Sequence, residues 1–287
     1  MKLKNIKPPK TFVEPETRCD YNIPAEMKQV WLVQIDLLSK LDKICDKHNL
    51  TWFIDGGSLL GTIRHGGYVP WDDDIDVMLP RKDYDILMGL SDEFEHPYFL
   101  QDFDTELKKN NIRIGLKHGR LRNSKTTART MSNIQKKLRL ENQGIFIDIF
   151  PFDNIPDDDA ELSEYIEELK QSEKLMKFSE EDFRNYQKLL RKYADVPTKR
   201  FCNLTVKFRP GLIKEKVDYS NKIMMPFEFI EVPVPIGFMH SLDGTYPMWQ
   251  TLYLRGETLH EIKVFDTEKP WTEHIEADYK KYFGNGR

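Results

Sequence analysis

Between Phe53 and Arg81 the chain reads FIDGGSLLGTIRHGGYVPWDDDIDVMLPR, and four aspartates, Asp72, Asp73, Asp74 and Asp76, fall within five positions of it. Their neighbours Val69, Ile75, Val77, Met78 and Leu79 belong in a core, so the fold must carry clustered carboxylates to the edge of a packed sheet. Residues two apart in a strand project to the same side. Asp74 and Asp76 therefore point together, joined by Asp72 if the extended geometry reaches that far, while Ile75 and Val77 turn the other way. Like charges held this close raise one another's pKa or need a cation. A few hard oxygen ligands favour Mg²⁺ over zinc, which would draw His or Cys, and Mn²⁺ could substitute. For a lone DxD pattern, the bland alternative is a surface acidic loop or a helix cap.

Upstream, Gly56-Gly57-Ser58 separates a predicted strand, TWFID, from a predicted helix, SLLGTIRH, which Ser58 would cap. Glycines let the backbone approach a ligand closely, and amides at a helix N-terminus attract phosphate. Gly56, Gly57 and Ser58 thus form a candidate phosphate cradle in tandem with the metal site.

Met27, Val30, Trp31, Leu37, Leu38, Leu41, Ile44 and Cys45 recur at helical spacing and predict an amphipathic helix over Pro24–His48. DIDVML predicts a strand and RKDYDILMGL a helix. YFLQDF, IRIGLK and GIFIDIF predict further strands, the last being the most apolar and hence central. The polar run NSKTTARTMSNIQKKLRLENQ reads as a connection. Beyond Pro156 a helical portion opens on aspartates near a helix start, and the tail from Met225, with Pro226, Pro233, Pro235, Pro247 and Pro270, reads as packed irregular segments. Residues 1–156 are expected to form a catalytic core with its N-terminal helix. Residues 157–287 are expected to form a helical and irregular portion that packs on the core and completes the substrate cleft.

A net charge of -4, from 43 Lys+Arg against 47 Asp+Glu, supplies no global field to draw nucleic acid. Three cysteines, odd in number and without zinc-ligand spacing, point to reduced thiols. MKLKNIKPPKTF lacks the apolar core of a signal peptide, and no run of about eighteen apolar residues occurs. The expectation is a cytoplasmic chain without a membrane span.

DGGSLLGTIRHGGYVPWDDDIDVMLPRKDY, together with RLRNSKTT and NQGIFIDIFPFDNIP, resembles the LicD family, relatives of fukutin and fukutin-related protein within the nucleotidyltransferase superfamily. The resemblance covers about half the chain, ending at Pro156. It implies an α/β (α+β) fold, with a nucleotidyltransferase-like mixed sheet flanked by helices and a helical C-terminal portion. It also implies Mg²⁺-dependent transfer of phosphocholine, or a similar phospho-alcohol, from CDP-choline or a related CDP-alcohol. The acceptor would be a teichoic acid, lipopolysaccharide or other surface-glycan precursor, and peripheral membrane contact is compatible with such a substrate. Two alternatives stand beside this reading: addition of NMP to a small hydroxylated acceptor, and a catalytically dead glycan-binding module. EVPVPIGF matches the segment that precedes a Tyr-Gly-Asp-Tyr type motif in many relatives. Here MHSLDGTYPMWQTLYLRGETLHE follows without that tetrapeptide, so the C-terminal wall of the site departs from the family pattern.

The superfamily pattern places a third acid on a later strand. Asp148 in GIFIDIF, a charge between Ile147 and Ile149, is costly unless paired or metal-bound. Its role is metal ligand, general base toward a sugar hydroxyl, or both. A structural aspartate paired with arginine is the alternative, and Asp153 is the substitute if Asp148 points away. Phosphoryl transfer also needs cations near the pyrophosphate. Arg64 is the first choice, followed by Arg120 and Arg122, and His65 can hydrogen-bond phosphate. Ser124, Thr126 and Thr127 offer hydroxyls, or form a simple turn. For a quaternary ammonium, Tyr68, Trp71, Phe152, Trp249 and Trp271 are the available aromatic faces.

Overall fold

The computed structural model describes residues 3–130, 141–176, 179–251 and 262–283. A short hairpin, β1 (Glu16–Arg18) and β2 (Tyr21–Ile23), leads into α1 (Ala25–His48), where the predicted apolar stripe is buried. Then follow β3 (Phe53–Ile54), α2 (Gly56–His65), β4 (Asp76–Pro80) and α3 (Arg81–Gly89). Next come β5 (Tyr98–Gln101), α4 (Phe103–Asn110), β6 (Gly119–Asn123), β7 (Thr127–Thr130) and the long β8 (Ile145–Asn154).

β8 is the spine of a seven-stranded mixed sheet. Its residues 148–152 pair parallel with β4 and its residues 145–149 antiparallel with β6, and β3 and β5 lie outside those two. Alternation sorts the faces: Val77, Leu79, Leu121, Ile145, Ile147 and Ile149 join the α1 stripe in the main core, while Asp76, Asp148 and Phe150 take the other face.

Beyond Pro156 come α5 (Asp159–Leu175), capped by Asp158 as the aspartates at its start imply, and α6 (Glu180–Leu190). The two helices pack with Ile155, Cys202 and Leu204 into a second cluster. β9 (Arg200–Cys202) then takes the edge of β8 that β6 has left, pairing at Asp153 and Asn154, and β10 (Ile213–Glu215) extends it. β11 (Lys222–Phe227) and β12 (Ile230–Pro235) form a hairpin. It is followed by α7 (Phe238–Thr245), β13 (Ile262–Asp266) and α8 (Trp271–Phe283). No helix among the described residues is long and apolar enough to cross a membrane.

Four local expectations differ from the structure. IRIGLK is not a strand; the edge of β8 is taken by Gly119–Asn123, whose Leu121 sits opposite Ile147. The polar run after Arg122 is not only a connection, because Thr127–Thr130 pairs with β13; residues 131–140 of that run lie outside the described residues. The proline-rich tail is not irregular at 222–235: a two-stranded ribbon leaves each strand an outer edge, where the missing proline N–H breaks no ladder bond. Finally, α2 begins at Gly56 with Asp55 in the cap position, so Ser58 lies inside the first turn instead of capping it.

Candidate active site

Parallel pairing of β4 and β8 sets Asp76 directly opposite Asp148. Asp74, just before β4, completes a group in which each carboxylate offers an oxygen within 4.8 Å of the others. Asp72 and Asp73 form a second acidic group with Asp74 under the same limit. Loss of water around Asp76, then the charges of Asp74, Asp148, Asp72 and Asp55, push its carboxyl well above the ordinary range. Asp148 goes the other way. Burial opposes its charge, but Arg120 and His118 hold it well below the usual carboxylate range. Arg120 Nε donates to Asp148 Oδ1 at 2.5 Å and His118 Nε2 meets the same oxygen at 2.9 Å.

The glycine pair 56–57 explains how the acids come so near α2. Gly56 is left-handed (φ +57°), and a Cβ there would lie 2.6 Å from Asp76 Oδ2; a Cβ on Gly57 would lie 2.7 Å from Asp72 Oδ2. These glycines admit carboxylates to the helix N-terminus, where its outward N–H groups favour negative charge. Ser58 is buried, and its hydroxyl accepts from the Asp76 N–H at 3.0 Å, tying α2 to the start of β4.

The second pair, Gly66-Gly67, serves packing. Gly66 is the left-handed C-cap of α2 (φ +61°), and a Cβ on Gly67 would lie 2.2 Å from Glu228 Oε1. Glu228, at the tip of the β11–β12 hairpin, receives Arg18 through two bonds of 2.9 and 3.2 Å and the Tyr68 N–H at 3.1 Å. From below, Trp31 Nε1 donates to the Asp72 carbonyl (2.9 Å) and Gln34 Nε2 to the Asp73 carbonyl (2.7 Å). Tyr68 stacks on Trp31 at 4.3 Å and donates to Gln34 Oε1.

The remaining candidates divide. Arg120 stands beside Asp148. Arg122, two residues on, is buried over Phe146 and engaged by Gln101 and the Gly144 carbonyl; burial, then Arg120, lowers it to about 9. Arg64 and His65 occupy the last turn of α2, a helix length of about 13 Å from its glycine end. Burial, then Arg64 and Arg18, lowers His65 to about 4. Asp153, the substitute acid, is held by Arg81 at 2.6 and 2.9 Å in a buried ion pair. Thr126 and Thr127 donate to the Asn123 and Lys269 carbonyls and Ser124 accepts from Asn142, as a turn requires. Of the aromatics, Tyr68, Phe152 and Trp249 are buried, leaving Trp71 and Trp271 partly exposed.

Three participants were not singled out from the sequence. His118 precedes β6 and carried no motif. Gln34 could have been found as a polar residue on the apolar stripe of α1. Tyr246, in the divergent segment after EVPVPIGF, has its phenol raised far above the ordinary range by burial and by Asp76, Asp55, Asp72 and Asp74, which brings the C-terminal portion to the acids.

Residues 49–156 match the family model described as LicD/FKTN/FKRP, nucleotidyltransferase domain. The chain is 32% identical over 73 residues to a lipopolysaccharide cholinephosphotransferase LicD of Haemophilus influenzae, covering 25% of this chain and 28% of that protein. It is 34% identical over 59 residues to an uncharacterized protein of Rickettsia prowazekii, covering 21% of this chain and 22% of that one. The chain thus spans less than a third of the length of these curated relatives. The matched stretch contains both glycine pairs, all the acids of the cluster, His118 and Arg120, and over that stretch the chain is similar to the LicD/FKTN/FKRP nucleotidyltransferase domain.

Proposed function

We propose that this chain transfers phosphocholine, or a similar phospho-alcohol, from a CDP-alcohol such as CDP-choline to a sugar hydroxyl of a teichoic acid or other surface-glycan precursor, with Mg²⁺ as cofactor. The observation that carries this reading is the Asp76–Asp148 pairing across adjacent parallel strands, with Asp74 in reach, beside a glycine-started helix in a LicD-type domain.

The donor set fits the ion. Three carboxylates within 4.8 Å, one pushed toward its neutral form by the others, call for a compensating cation, and an all-oxygen set suits Mg²⁺. Asp74, Asp76 and Asp148 would hold it, and when bound it would offset the charge of the donor's pyrophosphate and of the departing CMP oxygen.

The chain's own groups do the rest. The N–H groups opening α2 at Gly56, Gly57 and Ser58 orient the pyrophosphate, and Arg120 adds positive charge beside the reacting phosphorus. Asp148, held below its ordinary range, is a poor proton acceptor, which favours its role as ligand over that of general base. In a loose transition state the attacking hydroxyl needs little help from a base. The sugar O–P bond forms as the bond to CMP breaks, and the hydroxyl proton passes to solvent.

The test is to incubate purified protein with CDP-choline, Mg²⁺ and a glycan acceptor, then follow CMP release and the mass of the product. The expected gain is one phosphocholine unit, lost in Asp74→Asn and Asp76→Asn. Full activity in both variants, or an acceptor heavier by a nucleotide, overturns the assignment.

A further inference from the structure

Single exposed apolar residues are ordinary, but a group of them marks a contact surface. Val217, Ile223, Met224, Ile236, Met239 and Met248 are all exposed, Val217 to 72%, within one part of the C-terminal portion. The other large apolar side chains exposed among the described residues, Ile86, Leu175 and Val196, stand apart from it in the sequence. Hydrogen bonds draw the segments of the group together. The Gly237 N–H donates to the Asp218 carbonyl at 2.9 Å and the Ile236 N–H to the Asn221 carbonyl at 3.0 Å. Val217, Ile236 and Met239 therefore surround one junction, and β11 with Ile223 and Met224 starts beside it.

Cations border this group. Residues 199–227 hold seven Lys or Arg against two acids, Glu215 and Asp218, in a chain whose net charge is -4. Arg200 pairs with Asp159 and Lys214 is buried. Lys199, Lys207, Arg209 and Lys222 are exposed and form no ion pair among the described residues. Lys216 and Lys222 directly precede Val217 and Ile223, and the Lys199 carbonyl accepts from the Lys216 N–H at 2.8 Å. Arg209 opens the turn Pro210–Leu212, whose Gly211 carbonyl accepts from Thr245 Oγ1, at the end of α7, at 3.4 Å. Two acids nearby are already engaged: His240 Nδ1 meets Asp218 Oδ2 at 2.6 Å, and Trp249 Nε1 donates to Asp243 Oδ1 at 2.7 Å.

We propose that this surface, built from the turn at Val217, the start of β11 and the outer side of α7, docks on an anionic lipid leaflet. Apolar tips enter the headgroup region while the flanking cations meet lipid phosphates. Unbranched methionines adapt to such an irregular environment. A second copy of the chain on the same surface would bring like charges face to face, whereas an anionic leaflet answers them. Each Lys or Arg beside a leaflet of this kind is worth about fivefold in affinity. α7 leads into Tyr246, which borders the acids, so docking holds the acidic site near the lipid. Such docking is independent of which group the site transfers.

The experiment is flotation of the full chain with vesicles of equimolar phosphatidylglycerol and phosphatidylcholine, compared with vesicles of phosphatidylcholine alone. The anionic vesicles should take up the protein at least tenfold more strongly. Lys207→Gln/Arg209→Gln and Met239→Ser/Met248→Ser should each lower that partitioning at least tenfold. Their melting temperatures should stay at the wild-type value, because all four side chains are exposed. No uptake by the anionic vesicles, equal uptake by the two kinds, or unchanged partitioning in either double variant overturns the proposal. Sedimentation velocity tests the other occupant: a wild-type dimer that becomes a monomer in Met239→Ser/Met248→Ser assigns the surface to a second copy and overturns it too. Absence of CMP release from CDP-choline, with vesicle binding retained, would instead remove the transfer reading and leave the docking surface standing.

Discussion

Replacing Asp76 by asparagine should make the metal-free protein more stable. Asp76, Asp74 and Asp148 offer oxygens within 4.8 Å of one another, and at that separation two unit charges repel by about 3 kcal/mol at an effective dielectric constant of ~20. Asp76 already escapes part of this by its raised pKa, so the net gain in Asp76→Asn should be about 1–2 kcal/mol. The new amide can donate to the two remaining carboxylates, so it is not left unsatisfied. For a domain of this size each kcal/mol moves the melting temperature by about 2–4 °C, so thermal unfolding in EDTA should occur about 2–8 °C higher than in the wild type. Magnesium should close or reverse the difference. An ion at a hundredfold excess over its Kd stabilises the wild type by about 2.7 kcal/mol, and the variant should gain less than a third of that. Scanning calorimetry of both proteins in EDTA and in Mg²⁺ reads the four melting points. A variant less stable than wild type in EDTA, or one keeping the full magnesium shift, refutes the view that a divalent cation relieves this cluster.

Arg81→Met leaves Asp153 charged and buried without its guanidinium, and should lower urea stability by about 3–5 kcal/mol while the magnesium shift persists. Gly67→Ala pushes a methyl into Glu228 and should cost about 1–3 kcal/mol. A double-mutant cycle with Glu228→Ala should recover at least half of that, and additive losses would show that the hairpin tip is not what the glycine admits. His65 falls from its ordinary 6.5 to about 4 because burial, Arg64 and Arg18 disfavour its charged form. Its contribution to stability is therefore complete above about pH 6.5 and is lost as pH falls toward 4. His65→Gln should flatten the urea midpoint against pH in that window, and an unchanged slope would show that another group titrates there.

The elements with strong periodicity were legible in the sequence. The α1 stripe, the apolar β8 and the alternating β4 each follow from the side on which their residues must lie. The meeting of Asp148 with Asp74 and Asp76 was expected from the family resemblance, which places a third acid on a later strand, and not from periodicity alone. What was not legible depends on pairing over distance. β6 is recognised by its register with β8 and not by its own composition, whereas IRIGLK has the alternation of a strand but no partner edge among the described residues. Prolines hid β11 and β12 because their harmlessness on a two-stranded ribbon is a tertiary fact. His118 and Tyr246 sit in segments with no motif, and only the folded chain brings them to the acids.

The acidic loop is anchored through its peptide groups. Trp31 and Gln34 take the Asp72 and Asp73 carbonyls, Ser58 takes the Asp76 N–H, and Glu228 with Arg18 fixes the turn that feeds the loop. A carboxylate on a loose loop would pay the entropy of ordering each time a cation bound. Anchoring the peptide groups avoids that loss. Trp31, Gln34, Arg18 and Glu228 lie outside residues 49–156. The helix before the matched stretch and the hairpin after it therefore set the geometry of an acidic cluster whose members all lie within that stretch.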